Sequence, residues 1–213
     1  MATSLSRTGR TLLFVAVAAA AAAAGAWLAA GLERTPPEPP RIAGTYLEGG
    51  RPMADFNLLD HSGAPFTPKR FEDNWTLLNF GFTYCPDVCP QTLSALAMVV
   101  ERMGERATGD IEVAFISVDP ERDTTEQLAG YVSFFHPRFT GVTGEMGEIR
   151  KLTGSLGIAH QRRDYGDSYT IDHSAAILLI NPEGKLQALF TPPHQPAAIA
   201  EDIAAIRHHW ERQ

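Results

Sequence analysis

The chain has 213 residues, a formal net charge of −7 and two cysteines, and these facts exclude several kinds of protein. Its apolar fraction of 44% and charged fraction of 20% are ordinary for a globular protein, and its length suffices for one domain with a hydrophobic core. An acidic chain lacks the basic footprint that nucleic-acid binding requires, so we expect no nucleic-acid partner. Two cysteines are too few for the disulfide framework of a small secreted domain, and a close pair is typical of metal or redox chemistry.

The N-terminal stretch is predicted to anchor the protein in a membrane. Residues 1–10 contain Arg7 and Arg10 but no acid, and they form the predicted cytoplasmic N-terminus. Residues 11–31 contain no charged residue, and as a helix they would span about 31 Å, close to the thickness of one bilayer core. Trp27 lies near the outer end, where aromatic rings favour the interface, and the preceding basic residues predict a domain outside the cytoplasm.

A cleaved signal peptide is the alternative to an anchor, because the alanine-rich stretch is weakly hydrophobic and residues 28–30 resemble a cleavage site. The apolar run is longer than a usual signal core, which favours the anchor. We therefore expect a single-pass protein of a bacterial inner membrane with its domain in the periplasm. The alternative location is the mitochondrial inner membrane, with the domain facing the intermembrane space. Residues 32–50, rich in proline, form a predicted stiff linker, and residues 51–213 form the predicted domain.

The predicted domain alternates between strands and helices. We predict strands at residues 56–59, 76–82, 111–118, 139–143, 175–180 and 186–190. We predict helices at residues 87–103, from 123 or 124 to 134, at 145–156 and at 196–210. The last two strands form a predicted hairpin. This order indicates an α/β fold with a central mixed sheet flanked by helices, and a dithiol at its first strand–helix junction is typical of the thioredoxin-like fold.

Two loops of this pattern carry specific expectations. Asp123 or Thr124 is the predicted N-cap of the second helix, and Gly157 is predicted to end the third. Asp119 and Arg122, which precede the second helix, are expected to pair or cap within their own loop.

The two cysteines, Cys85 and Cys89, lie at the predicted start of the first helix. A helical spacing of four residues would stack both sulfurs on one face, and a helix N-terminus stabilises negative charge and so lowers the pKa of a thiol. Such a pair can bind a soft metal or exchange with disulfides. The neighbouring Pro86, Asp87 and Pro90 argue against burial of the pair, and Asp87 either tunes the site or caps the helix.

His173 is the histidine best placed to join the cysteines, because it precedes the predicted strand 175–180. In a thioredoxin-like sheet, the loop entering that strand lies beside the dithiol helix. Asp172 could orient the imidazole, although neighbours in a strand point to opposite faces. On spacing alone the role of His173 stays open. We expect plain surface roles for the other histidines, His61, His136, His160, His194, His208 and His209.

Three segments resemble the signatures of the Sco/SenC copper proteins: residues 83–90 (TYCPDVCP), 117–124 (SVDPERDT) and 172–174 (DHS). The resemblance covers roughly residues 50–210, with the three segments in the right order. It implies a membrane-anchored, thioredoxin-fold protein that helps to assemble cytochrome c oxidase. It also implies that Cys85, Cys89 and His173 bind copper, and that the copper-bearing subunit of the oxidase is a partner. Other periplasmic copper chaperones or thiol reductants are further expected partners.

Two functions are open at this point. Two thiolates and one imidazole suit Cu(I) and, with a further ligand, Cu(II), although the same set also fits Zn²⁺. One function is a copper chaperone for the oxidase. The other is a thiol–disulfide oxidoreductase that keeps the cysteines of the oxidase reduced, with Cys85 and Cys89 as the redox pair. The three-residue gap between the cysteines and the presence of His173 favour the chaperone. A peroxiredoxin-like peroxidase is disfavoured, because Phe82 stands where those enzymes carry threonine.

Overall fold

A computed structural model describes residues 7–32, 38–108 and 111–212 of the chain. Residues 1–6 of the predicted cytoplasmic segment and 33–37 of the predicted linker lie outside the described residues. The helices of the described part are α1 (Arg7–Leu32), α2 (Val88–Thr108), α3 (Thr125–Phe135), α4 (Met146–Leu156) and α5 (Pro196–Trp210). The strands are β1 (Thr45–Pro52), β2 (Leu58–Asp60), β3 (Pro65–Phe66), β4 (Trp75–Gly81), β5 (Ile111–Ser117), β6 (Phe139–Thr143), β7 (His160–Tyr165), β8 (Ser168–His173), β9 (Ile177–Ile180) and β10 (Lys185–Phe190).

Helix α1 and the domain at Pro39–Arg212 belong to two different compact units. Residues Arg7–Trp27 of α1 form a stretch long and apolar enough to cross a membrane. This helix is compatible with membrane anchoring, and a signal sequence would have the same length and composition. The predicted anchor at residues 11–31 lies within α1, and its retention and orientation stay predictions.

The domain is built on an eight-stranded mixed sheet with the strand order β1-β10-β9-β4-β5-β6-β2-β3. Strands β4, β5 and β6 are parallel neighbours, whereas β9 pairs antiparallel with β4 and with β10. Strands β4 and β9 are buried along their whole length, which explains why they are nearly continuous apolar runs in the sequence. The predicted central mixed sheet and the predicted hairpin of the last two strands are thus confirmed.

The parallel pairing of β4 with β5 brings two of the three signature segments together. Gly81 at the end of β4 is in register with Ser117 at the end of β5. The Val118 N–H then donates to the Gly81 carbonyl at 2.8 Å, which extends the pairing by one step. Because both strands end at the same edge of the sheet, residues 83–90 and 117–124 leave it side by side.

The helix ends largely follow the predicted capping residues. The Thr124 side chain accepts a hydrogen bond from the Gln127 N–H at 3.2 Å and so caps α3. Gly157 ends α4 in the left-handed conformation with a φ of 73°. Gly104, also with a φ of 73°, interrupts α2 one residue beyond the predicted end of that helix.

The predicted linker is too long at its C-terminal end, because residues 45–50 belong to β1. This strand pairs antiparallel with β10, and Thr45 lies opposite Leu189. A register shift separates Tyr46 from Arg51, and Gly49 and Gly50 in between have positive φ angles. Every residue of this edge strand is exposed or half-buried, so β1 lacks the apolar alternation by which a strand is predicted from sequence.

Strands β7 and β8 were not predicted either, and they form a separate two-stranded hairpin. Apart from Ile171, the side chains of both strands are exposed or half-buried, so neither strand carries an apolar face. The available signal was the turn: Tyr165 pairs with Ser168 across the two-residue loop of Gly166 and Asp167. The hairpin ends at His173, and it therefore carries the third signature segment.

Truncation of a buried residue in β9 tests whether this strand lies in the hydrophobic core of the domain. We expect Leu179→Ala, at a fully buried position, to lower the free energy of unfolding by about 2–5 kcal/mol through lost burial and a cavity. Leu59→Ala, in β2 at a position that is 43% exposed, should cost less than about 1 kcal/mol. Urea unfolding of the full-length chain in detergent, followed by circular dichroism, makes the comparison. Equal losses in the two variants would contradict this placement of the core.

Candidate metal centre

The two cysteines lie where β4 passes into α2. Cys89 is in the first turn of α2, whereas Cys85 precedes the helix and donates its N–H to the Phe82 carbonyl at 3.1 Å. The Cys89 N–H donates to Cys85 Sγ at 3.4 Å, which holds the two residues together. The two thiols are therefore brought together by the turn that leads into α2. They do not stack on one face of the helix, because Cys85 lies outside it.

Both thiols are buried, so the expectation that the neighbouring residues would prevent burial is wrong. Cys85 is 7% exposed and Cys89 is 1% exposed, while Pro86 and Asp87 occupy the solvent side. The Cys89 sulfur packs against the end of β4, where a Cβ atom on Gly81 would lie only 2.5 Å from it. The sequence could not show this burial, because it depends on a contact between α2 and the end of a strand.

The hydrogen bonds around Cys85 favour its thiolate. The pKa of the Cys85 thiol is lowered to about 3, chiefly by a hydrogen bond from the Cys89 thiol. Burial opposes this shift. Hydrogen bonds from His173 and from the backbone N–H groups of Asp87 and Cys89 lower the pKa further. The same thiol–thiolate hydrogen bond raises the pKa of Cys89 far above its ordinary value, and burial raises it further. In the metal-free pair, Cys85 therefore holds the negative charge and Cys89 holds the proton.

The structure brings His173 to this pair. Its Nε2 lies 3.2 Å from Cys89 Sγ, and its Nδ1 lies 3.0 Å from the Ser174 carbonyl oxygen. Because a carbonyl only accepts, Nδ1 carries a hydrogen, and Nε2 is the ring nitrogen that faces the sulfur. The Phe82 ring supports the imidazole edge to face, with the centroids 5.9 Å apart. Asp172 does not orient His173, since its exposed carboxylate pairs with Arg163 on the neighbouring strand.

The three ligand atoms of Cys85, Cys89 and His173 lie within 4.8 Å of one another, and this group could hold a metal ion. Metal–sulfur bonds of about 2.3 Å and metal–nitrogen bonds of about 2.0 Å at a tetrahedral angle separate S and N by about 3.5 Å. The observed 3.2 Å between Cys89 Sγ and His173 Nε2 is close to that value. A surface cavity of about 410 Å³ borders Cys85 and His173, so a further ligand has access to the site.

Asp123 fixes the turn that carries the two cysteines, residues 83–89 (the cysteine turn), through hydrogen bonds to Thr83. Its buried carboxylate accepts hydrogen bonds from Thr83 Oγ1 at 2.6 Å, from the Thr83 N–H at 3.1 Å and from Ser117 Oγ at 2.6 Å. Burial raises the pKa of this carboxyl, against the effect of these hydrogen bonds. Asp123 therefore ties the first two signature segments together, and Thr124 rather than Asp123 is the helix cap.

Around the site, one predicted pairing is confirmed and two residues were not predicted. Asp119 and Arg122 pair within their own loop as predicted, with Nε to Oδ2 at 2.5 Å. Sequence reasoning missed Tyr169 of the hairpin, which donates its hydroxyl to Asp119 Oδ1 at 2.8 Å. It also missed Tyr84, an exposed residue that directly precedes Cys85 in the sequence. The two-residue turn of the hairpin was the signal that could have placed Tyr169 near the site.

The other histidines do not join the three ligand atoms. His209 is only 2% exposed and its ring packs edge to face on Tyr46, so the expectation of a solvated side chain is wrong for this residue. His61 accepts a hydrogen bond from the Gly141 N–H at 2.9 Å through its Nδ1. Within the described residues, His173 is the histidine grouped with cysteines.

The charge assignment predicts an unusual pH profile for alkylation of the reduced, metal-free chain. Iodoacetamide should modify Cys85 at nearly the same rate from pH 8 to pH 6, because its pKa of about 3 keeps it a thiolate throughout. An ordinary thiol would slow about tenfold for each pH unit over this range. Cys89 should stay unmodified. Peptide mass spectrometry measures both rates, and a Cys85 rate that falls tenfold per pH unit would refute the assignment.

A methyl group at Gly81 tests the packing of the Cys89 sulfur. Gly81→Ala places a Cβ 2.5 Å from that sulfur and 2.8 Å from the Phe115 ring, so we expect a loss of about 1–3 kcal/mol in unfolding free energy. Gly130→Ala in α3 is the matched control, because no atom lies within 4 Å of its added Cβ. That control should gain about 0.5–1 kcal/mol from better helix propensity. Urea titrations compare the variants, and a harmless Gly81→Ala would show that the sulfur is not confined there.

Comparisons with known proteins agree with this geometry. Residues 45–208 match the SCO1/SenC family model. The chain is 37% identical to the Bos taurus protein named SCO2 homolog, mitochondrial, over 94% of this chain and 75% of the relative. It is 35% identical to the SCO2-like protein of Rickettsia felis, over 79% and 83% of the two chains.

A solved structure shows the same fold. The crystal structure of Arabidopsis thaliana ScoI with copper bound superposes with a TM-score of 0.69 at 35% identity, over 73% of this chain and 98% of that chain. The thioredoxin-like fold class is thereby confirmed. With its Cys-Cys-His group at the junction of the three signature segments, the chain belongs to the SCO1/SenC family.

Proposed function

We propose that this chain is a membrane-anchored copper chaperone that binds copper through Cys85, Cys89 and His173. It would deliver the copper to the dinuclear copper centre of cytochrome c oxidase during assembly. The observation that carries the proposal is the approach of His173 Nε2 to within 3.2 Å of Cys89 Sγ, because a plain dithiol exchange needs no imidazole there. Family membership and the copper-bound Arabidopsis relative support copper over zinc as the cargo.

The ligand set suits a protein that must both hold and release copper. Thiolate ligands select Cu(I), and an imidazole beside them also permits Cu(II) with a further ligand. Because the protein supplies three ligands beside an open cavity, a ligand of the acceptor can bind before a protein ligand leaves. Cys89 must lose its proton to bind, so loading releases a proton to solvent.

The proposed setting follows from the N-terminal helix and the relatives. We propose a single-pass protein of a bacterial inner membrane, with residues 1–10 in the cytoplasm and the domain in the periplasm. The apolar stretch of α1 supports an anchor, and the Rickettsia relative supports a bacterial source for such a chain. The mitochondrial relatives support the alternative of the inner mitochondrial membrane. The proposed partner in both settings is the copper-bearing subunit of the oxidase, with periplasmic copper chaperones or thiol reductants as further partners.

A thiol–disulfide oxidoreductase is the second candidate, and the charge state of the dithiol favours it. The Cys85 thiolate would attack a disulfide sulfur of the oxidase subunit, forming a mixed disulfide and releasing one thiolate. The Cys89 thiol, after losing its proton, would then attack Cys85 Sγ and release the second thiolate. The partner gains two electrons and the chain is left with a Cys85–Cys89 disulfide. In this function His173 has no required role.

Removal of the imidazole separates the two candidates. The reduced full-length chain in detergent should bind one copper ion and show thiolate-to-Cu(II) absorption. We expect His173→Ala to weaken Cu(II) binding at least about tenfold and to impair oxidase loading in cells that lack the wild-type protein. His208→Ala, at an exposed position at the end of α5, is the matched control and should leave both properties unchanged.

Two results would overturn the chaperone. One is a reduced wild-type chain that binds no copper. The other is a His173→Ala chain that supports oxidase assembly like wild type while both cysteines remain essential, which would favour the oxidoreductase.

A further inference from the structure

We propose that Arg122 is a positioning residue that locks the hairpin β7–β8 against the cysteine turn and so holds His173 at the site. By fixing the imidazole, it sets how tightly the protein retains Cu(II) relative to Cu(I). The copper part of this inference rests on the proposed copper site, whereas the mechanical part concerns the metal-free chain alone. Arg122 lies in the second signature segment and contacts none of the three ligand atoms in the described structure.

A few contacts tie the hairpin to the rest of the domain. Within the part of the chain that the structure describes, β7 and β8 pair with each other and not with the main sheet. Ile171 is the one buried residue of the two strands. Two cavities, of about 750 Å³ and about 330 Å³, adjoin the hairpin, the first bordered by His173 and the second by Tyr169. The position of His173 therefore depends on a few side-chain contacts.

One cluster of these contacts surrounds Tyr169. Its ring lies between two guanidinium groups, with the Arg122 Cζ 3.7 Å and the Arg162 Cζ 3.6 Å from the ring centroid. The Tyr169 hydroxyl donates to Asp119 Oδ1, and the Arg122 Nη1 donates to the Tyr169 carbonyl at 3.3 Å. Together, Asp119, Arg122, Arg162 and Tyr169 form an arginine clamp, which holds both the ring and the backbone of β8.

The same guanidinium reaches the cysteine turn. The Arg122 Cζ lies 4.8 Å from the centroid of the Tyr84 ring and 5.7 Å from that of Phe82. Tyr84 directly precedes Cys85, and Phe82 is the ring that supports the His173 imidazole. One side chain thus contacts the segments that carry all three ligands.

The clamp is anchored by a largely desolvated ion pair. Arg122 pairs with Asp119 at 2.5 Å, and the side chains of the two residues are 22% and 3% exposed. Removal of one partner from such a pair leaves the other charge buried and uncompensated, so the pair is costly to break. The planar guanidinium also stacks on aromatic rings in a way that a lysine ammonium cannot reproduce. Arg122 is therefore the residue whose loss should release the hairpin most completely.

Release of the hairpin should affect the two oxidation states differently. Two thiolates alone are good ligands for Cu(I), whereas Cu(II) depends more on nitrogen ligation. We expect Arg122→Ala to weaken Cu(II) binding by at least about tenfold, as removal of residues that orient metal ligands typically does. The affinity for Cu(I) should change by less than about threefold. In the metal-free chain, the amides of residues 160–173 should exchange hydrogen faster, because the hairpin opens more often.

The experiment compares four variants of the full-length chain in detergent. Arg122→Ala removes the clamp, Arg122→Lys keeps the charge but not the stack, and Tyr169→Leu removes the ring between the guanidinium groups. Arg70→Ala is the control, because Arg70 also pairs with a carboxylate, Glu112, but outside the site. Competition titrations give the Cu(II) and Cu(I) affinities, electron paramagnetic resonance reports nitrogen coupling to Cu(II), and hydrogen exchange is followed without metal.

The proposal is supported if the three clamp variants lose nitrogen coupling and Cu(II) affinity selectively, with faster hairpin exchange, while Arg70→Ala behaves like wild type. It is overturned if hairpin exchange is unchanged, or if the affinities for Cu(II) and Cu(I) fall equally, as a general loss of stability would cause. If Arg122→Ala does not fold, Arg122→Lys and Tyr169→Leu decide the matter by the same criteria. A wild-type chain that binds no copper would refute the copper site, and hydrogen exchange would still decide whether the clamp holds the hairpin.

Discussion

The candidate metal centre depends on the close approach of the Cys89 sulfur to the backbone at the end of β4. Gly81 has no Cβ, so the sulfur packs where a side chain would stand, and the Phe115 ring lies beside the same position. On its other side the sulfur faces the His173 Nε2 at 3.2 Å. The sulfur is therefore confined between a strand and an imidazole in the metal-free chain, so a metal bound at this candidate site would need little further ordering of its ligands.

Two neighbouring residues of one loop hold this arrangement from different directions. Asp123 is buried and binds the cysteine turn through Thr83, which fixes the sulfurs relative to the sheet. Arg122 contacts Tyr169 of the hairpin and the rings that flank the cysteine turn. The loop after β5 thus fixes the two thiols to the sheet and also holds the imidazole beside them. This explains physically why the second signature segment belongs with the other two, although it supplies no ligand atom.

Much of the fold could be predicted, because the central strands are long apolar runs and the helices carry clear caps such as Thr124 and Gly157. The candidate ligands could be proposed from the resemblance of three segments to a known family. Spacing alone left the role of the third candidate, His173, open. Strands β1, β7 and β8 escaped prediction because every residue in them except Ile171 is exposed or half-buried, so they carry no continuous apolar pattern. The burial of the cysteines and the clamp around Tyr169 depend on contacts between distant segments, which local patterns do not encode. Asp172 was a reasonable candidate by adjacency, but strand geometry turns it toward Arg163.

Copper K-edge X-ray absorption tests the central claim, that two sulfurs and one imidazole form a single site, most directly. The full-length chain would be loaded with one equivalent of Cu(II) and compared with the His173→Ala variant. The account predicts scattering from the Cys85 and Cys89 sulfurs together with imidazole scattering that disappears in the variant. Wild-type spectra that lack imidazole scattering, or that show only one sulfur, would contradict it.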